Sequence, residues 1–140
     1  DRQTGTARWT RELSSASGLT GDHRALYVTD DQSRLLALDK DSGRTLWKSE
    51  SLLGRRLTRP QVFGRYLVVG DFQGYVHLFD SETGQPAARL RVASELADDI
   101  IAHAHTDFGV VVSPVVVDER LVVQTADGKL TLLAIKDLAQ

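Results

Sequence analysis

Three observations predict an all-β fold built as a propeller. Segments of about 41 residues recur along the 140-residue chain. Each recurring segment holds four short apolar runs of strand length, and turns rich in Asp and Gly separate them. A unit of about 40 residues with four strands matches one blade of a β-propeller, a four-stranded antiparallel sheet set with others around an axis. A parallel β-helix needs shorter coils, and an immunoglobulin-like sandwich has no internal repeat.

Residues 8–13, RWTREL, read as the outermost strand of a preceding blade, so 1–13 belongs with strands that lie elsewhere. Two whole blades follow, at 17–51 and 57–92. Residues 25–39, ALYVTDDQSRLLALD, align with 66–80, YLVVGDFQGYVHLFD, at an offset of 41. Leu26 then meets Leu67, Val28 meets Val69, Asp30 meets Asp71 and Asp39 meets Asp80. Their apolar residues alternate or run on for four to six positions with β-branched and aromatic enrichment, which is the pattern of strands. A third copy, RLVVQTADGKLTLLA at 120–134, follows at an offset of 54. It belongs to a last blade, 111–138, that lacks its outer strand.

The extra length before the last blade forms an inserted loop at 93–110. There Ser94 is placed to cap a short helix, with Glu95, Asp98 and Asp99 near its positive end. The strands add up to about three four-stranded blades' worth, and propellers usually close with four to eight blades. We therefore expect an open arc, or self-association in which copies of the fragment exchange strands. The chain carries no methionine, even at position 1, so it is expected to be a piece of a longer protein.

Turn chemistry repeats with the strands. Asp bonds its own backbone two residues on, while Gly takes the left-handed conformation at little cost. The spacing D-x3-G-x3-W occurs at Asp1, Gly5 and Trp9 and again at Asp39, Gly43 and Trp47, the second preceded by Ala37. In the next unit Asp80 and Gly84 persist, but Ala88 stands where Trp is expected.

Hydrophobic residues make up 41% of the chain and charged residues 26%, the proportions of a globular protein. A net charge of -2 argues against a general nucleic-acid binder, which shows a basic excess. No apolar run reaches the length of a membrane-spanning helix. The opening residues do not read as a signal peptide, and any such segment is expected to lie in the part of the longer protein outside this sequence. With no cysteine, disulfides, zinc–thiolate sites and a Cys nucleophile are excluded.

Few residues suggest chemistry. His103 and His105 form an H-x-H pair that places two rings on one face of an extended chain, but no third ligand follows at a diagnostic spacing. They read as part of a polar loop, and no metal is assigned. His77, on an alternating strand, reads as a half-exposed sheet residue. Arg55, Arg56 and Arg59 form the only basic cluster. They are the candidate partner-binding residues, weighed against a solvated loop with one or two internal ion pairs. No nucleophile–base order or phosphate-binding glycine loop is visible, so no catalytic residue is assigned.

The Ala37, Asp39, Gly43 and Trp47 pattern resembles the tryptophan-docking motif of quinoprotein (PQQ-like) propellers. That resemblance implies a Trp packed between neighbouring blades, with its N–H on a loop carbonyl. Residues 55–85, RRLTRPQVFGRYLVVGDFQGYVHLFDSETGQ, together with 113–135, SPVVVDERLVVQTADGKLTLLAI, are similar to the C-terminal blades of the BamB family. These are propeller lipoproteins of the outer-membrane β-barrel assembly (BAM) complex. The likeness implies an eight-bladed intact propeller without catalysis or cofactor, binding the POTRA domains of BamA. It also implies a periplasmic place, lipid-anchored at the inner face of the outer membrane of a Gram-negative bacterium. The runner-up is a fragment of a quinone- or metal-dependent oxidoreductase propeller, which shares the repeat.

Overall fold

The computed structural model describes residues 5–14, 17–92, 110, 114–125 and 128–134. Eleven strands form three antiparallel sheets among them. The first sheet has the order β1 (Leu19–Gly21), β2 (Ala25–Thr29), β3 (Leu35–Asp39), β4 (Thr45–Ser49). The second repeats it with β5 (Gln61–Phe63), β6 (Tyr66–Gly70), β7 (Tyr75–Asp80) and β8 (Pro86–Arg91). The third holds β9 (Val115–Val117), β10 (Arg120–Gln124) and β11 (Leu130–Ala134). Between sheets, β1 adjoins β5 and β5 adjoins β9, and no other described strands from different sheets come as close. The first strands therefore gather along one line while the later strands fan outward, as propeller blades do.

The pleat explains how one repeat fills two interfaces. Side chains alternate across a strand, so each central strand sends one set forward and one set back. In the first sheet Ala25, Tyr27, Leu35 and Ala37 pack against Leu67, Val69 and Phe79 of the second. Val28, Leu36 and Leu38 cover the opposite face together with Leu13 and Leu26. The second sheet's other face supplies Val68, Val76 and Leu78, which meet Leu121 and Val123 of the third. Both sides of the central strands are thus buried, which is why their sequences run almost continuously apolar. Each such side chain contributes roughly 1.5–3 kcal/mol on burial.

Close packing leaves one backbone position no room for a side chain. A Cβ built on Gly70 lies 2.3 Å from Cγ1 of Val110. Val110 is itself held by its amide, which donates to the Asp71 carbonyl at 2.7 Å. Gly70→Ala is expected to lower stability by about 1–3 kcal/mol through overpacking, read as an earlier urea midpoint with an unchanged slope. Unaltered stability would show that Val110 yields freely.

Residues 8–13, expected as an outer strand, carry no strand in the structure. A strand exists only with a ladder partner, and the described sheets offer none beside this segment. The segment is nevertheless tied down, because Arg11 Nη1 donates to the Gly43 carbonyl at 3.0 Å and the adjoining Ser14 carbonyl accepts the Asp31 amide at 2.8 Å. The inserted loop at 93–109, with the helix expected from Ser94, lies outside the described residues.

Antiparallel order sorts the connections between two ends. The β2–β3 and β6–β7 turns share one end with the 50–60 connection, where the Gly54 amide donates to the Gln32 carbonyl and the Phe72 amide to the Arg55 carbonyl. The β3–β4 and β7–β8 turns lie at the other.

Candidate functional site

The β3–β4 and β7–β8 turns are built alike. Asp39 accepts the amides of Asp41 at 2.8 Å and Ser42 at 2.9 Å on one carboxylate oxygen. Asp80 accepts those of Glu82 at 2.8 Å and Thr83 at 3.2 Å. These amide bonds hold both carboxyls below their ordinary pKa, since they favour the charged form. Gly43 and Gly84 close the turns, each with φ of 74° and its amide on the Asp carbonyl at 2.8 Å. What remains on the surface of each turn is a bare glycine beside an unclaimed carbonyl.

A tryptophan from the preceding unit occupies that spot. The Trp9 indole N–H donates to the Lys40 carbonyl at 2.9 Å, and that of Trp47 to the Ser81 carbonyl at 2.9 Å. A Cβ on Gly43 would stand 2.6 Å from the Trp9 ring, and one on Gly84 would stand 2.5 Å from the Trp47 ring. The Gly and the Trp of one motif therefore never touch. Gly43 receives the ring from behind, while Trp47 reaches forward to Gly84. Ala37 lies directly across the sheet from Trp47 and is fully buried, so its small side chain makes room for the ring. Gly5 has φ of 65° with nothing near its Cβ position, and Asp1 lies outside the described residues. In the second unit Ala88 stands in place of Trp, and in the last unit the sequence positions matching Asp80 and Gly84 hold Ala134 and Leu138. Ring and receiving turn are lost together.

The other end carries a different device. Asp30 and Asp71 occupy the same repeat position, and each braces its hairpin turn by accepting the amides two and four residues on. Asp30 then pairs with Arg34 at 2.6 Å. Asp71 is completely buried and meets His77 Nε2 at 2.7 Å and Arg55 Nη1 at 3.3 Å. Burial alone would raise the Asp71 carboxyl, but hydrogen bonds from His77 and from the Tyr75 and Gln73 amides outweigh it, so its pKa lies below the ordinary value.

His77 corrects an expectation. Read as half-exposed, it is 5% exposed, because both faces of β7 are covered by neighbouring sheets. Its place in the repeat is that of Leu36, an apolar core position. A polar residue in an apolar position of the repeat, six residues after an Asp, is the signal that could have revealed this pair.

The three candidate arginines separate. Arg55 turns inward to Asp71 and Gln73. The stem of Arg59 lies over Gly18, 3.2 Å from where a Cβ would sit. Arg56 is exposed, with φ of 52°, and its amide is fixed by the Ser33 hydroxyl at 3.0 Å. Ser33 is also left-handed, with φ of 68°, at the repeat position of Gly74. The structure does not bring the three together as one basic patch. His103 and His105 lie outside the described residues, and among the described residues no group of three or more His, Asp or Glu is placed to hold a metal.

A family model described as outer membrane protein assembly factor BamB matches residues 1–49 and 36–140. The assembly factor BamB of Shewanella oneidensis is 38% identical over 133 residues, which is 95% of this chain and 30% of that protein. The crystal structure of BamB from Moraxella catarrhalis superposes with a TM-score of 0.77 at 30% identity, covering 97% of this chain and 37% of that one. A quinohemoprotein alcohol dehydrogenase from Pseudomonas putida shares the fold alone, with a TM-score of 0.67 at 20% identity. The chain spans about a third of the length of the BamB proteins it matches. With its repeats, its three sheets and a match along its whole length, the chain belongs to the family of the outer membrane protein assembly factor BamB.

Proposed function

We propose that this protein is part of a non-catalytic scaffold propeller that assists the assembly of β-barrel proteins into the outer membrane. In this reading it works within the BAM complex by binding the POTRA domains of BamA. Its place is the periplasm, at the inner face of a Gram-negative outer membrane, with the lipid anchor on the longer protein. The observation that supports the reading is the family match along the whole chain. The docking turns and the buried Asp71–His77 pair fit a scaffold, since they tie blades and turns to one another.

The test is calorimetric titration of the protein against isolated POTRA domains of the cognate BamA, beside an intact BamB. Saturable binding by both is expected, with Arg56→Glu weakening it, because Arg56 is exposed and its backbone is fixed by Ser33. Binding by intact BamB alone would assign the interface to other blades. Binding by neither would overturn the reading.

A further inference from the structure

A cleft of about 360 Å³ lies between residues 51–55 and the outer strands β7 and β8. It is at the rim of the junction between the first two sheets, on the side of the 50–60 connection. Its floor is apolar, formed by Leu52 and Phe79 of the inter-sheet core. Its polar groups are Ser51, Arg55, His77 and Arg89. We propose that this cleft binds an acidic side chain carried on an extended peptide segment of a partner protein.

The cationic groups have donors left over. Arg55 engages Asp71 and Gln73 through Nη1, and its Nε and Nη2 have no partner among the described residues. The Arg89 guanidinium lies 4.8 Å from the Tyr75 ring centroid and forms no ion pair among the described residues. His77 gives Nε2 to Asp71, whereas Nδ1 has no such partner and is not sealed from solvent.

Among the described residues the charge is unbalanced. Two guanidiniums line the cleft beside one carboxylate, Asp71, whose oxygens already accept from His77, Arg55 and two backbone amides. At the approach Lys48 and Glu50 neutralise each other at 3.0 Å. One added carboxylate would balance the cleft and accept charge-assisted, fork-like bonds from the guanidiniums.

An extended peptide suits the shape better than a free anion. Among the described residues β8 is an edge strand, paired to β7 alone. Residues 86–89 line the cleft consecutively, although side chains on a strand alternate between faces. A bulge at Ala87 breaks that alternation here, so the cleft follows the strand along all four residues. Ala87 carries only a methyl group there, and the Ala88 side chain packs toward the core between the second and third sheets. A segment laid along this edge can bond the β8 backbone, as in strand addition, while one side chain reaches Arg55 and Arg89.

The experiment is fluorescence anisotropy with a labelled peptide alternating Glu and Val, its Gln counterpart, and succinate as a competing free dicarboxylate. Saturable binding of the Glu peptide is expected, weakened about tenfold or more by the Gln exchange and likewise by Arg89→Glu. Arg89 is exposed, so circular dichroism should show the variant folded, and His77→Gln, at another polar lining residue, should weaken binding in the same direction. No saturable binding of the Glu peptide, equal binding of the Gln peptide, or indifference to Arg89→Glu would each overturn the proposal. Displacement by succinate as effective as by unlabelled peptide would make this a small-anion site instead. None of these outcomes depends on the POTRA titration, so the two readings fail separately.

Discussion

Gly84→Ala is expected to destabilise the protein by about 2–4 kcal/mol, with most of the loss arising from Trp47 rather than from the turn. Alanine in a left-handed conformation costs about 1 kcal/mol by itself. Its methyl group would stand 2.5 Å from the Trp47 ring, and backbone carries it, so the ring must move. Moving the ring breaks the N–H bond to the Ser81 carbonyl, a net loss of about 1 kcal/mol. It also exposes apolar area packed against Tyr27 and the core between the first two sheets. A double-mutant cycle separates the parts. In a Trp47→Ala background the glycine substitution should cost only its backbone share, near 1 kcal/mol. Purely additive costs would show that ring and glycine do not act as one joint.

The same joint marks how far the sequence was readable. The repeat revealed the strands because burial on both faces forces apolar runs whose spacing survives without coordinates. Asp39, Gly43 and Trp47 were visible as a motif, and the family resemblance implied a Trp between neighbouring blades. The contacts do run between units, Trp9 to Gly43 and Trp47 to Gly84, but which turn receives which ring is not encoded in any single copy of the motif. The loss of Trp in the second unit, at Ala88, together with the loss of Asp and Gly in the last, at Ala134 and Leu138, does carry this information once the copies are aligned as donor and receiver.

The arginine cluster had two readings, a partner-binding patch or a solvated loop with internal ion pairs, and the Arg55–Asp71 pair is of the second kind. Neighbours in sequence looked like one basic patch, but Arg55 is turned inward by a carboxylate from the next hairpin while Arg56 is exposed, its backbone fixed by Ser33. How each residue is placed is settled by partners 16 and 23 residues away. Sequence spacing alone does not hold that choice. The cleft at β8 was hidden likewise, since Arg55 and Arg89 are brought together only by the packing of one sheet on the next.

Asp71→Ala is expected to cost about 3–5 kcal/mol, the range for breaking a buried ionic group away from its partners. Four donors lose their acceptor together: the Gln73 and Tyr75 amides, His77 Nε2 and Arg55 Nη1. Asp71→Asn should cost less, because its amide oxygen still serves the turn, but its NH2 group faces the donors of His77 and Arg55. The substitution also changes the response to acid. The folded Asp71 carboxyl lies below the ordinary value of 3.8, so the folded state holds its proton less tightly than the unfolded chain does. Its contribution is therefore fully present above the unfolded pKa and is lost as pH falls through the folded one. Asp22, Asp39 and Asp80 are lowered in the same direction, so acid sensitivity of the unaltered protein does not single out Asp71. The difference between unaltered protein and Asp71→Asn does, because the other three carboxylates cancel. Urea unfolding at a series of pH values should show the gap between the two narrowing as pH drops below about 4. A gap that stays constant would mean that the carboxylate's charge contributes nothing there, and that Asp71 serves only as the acceptor that shapes the turn.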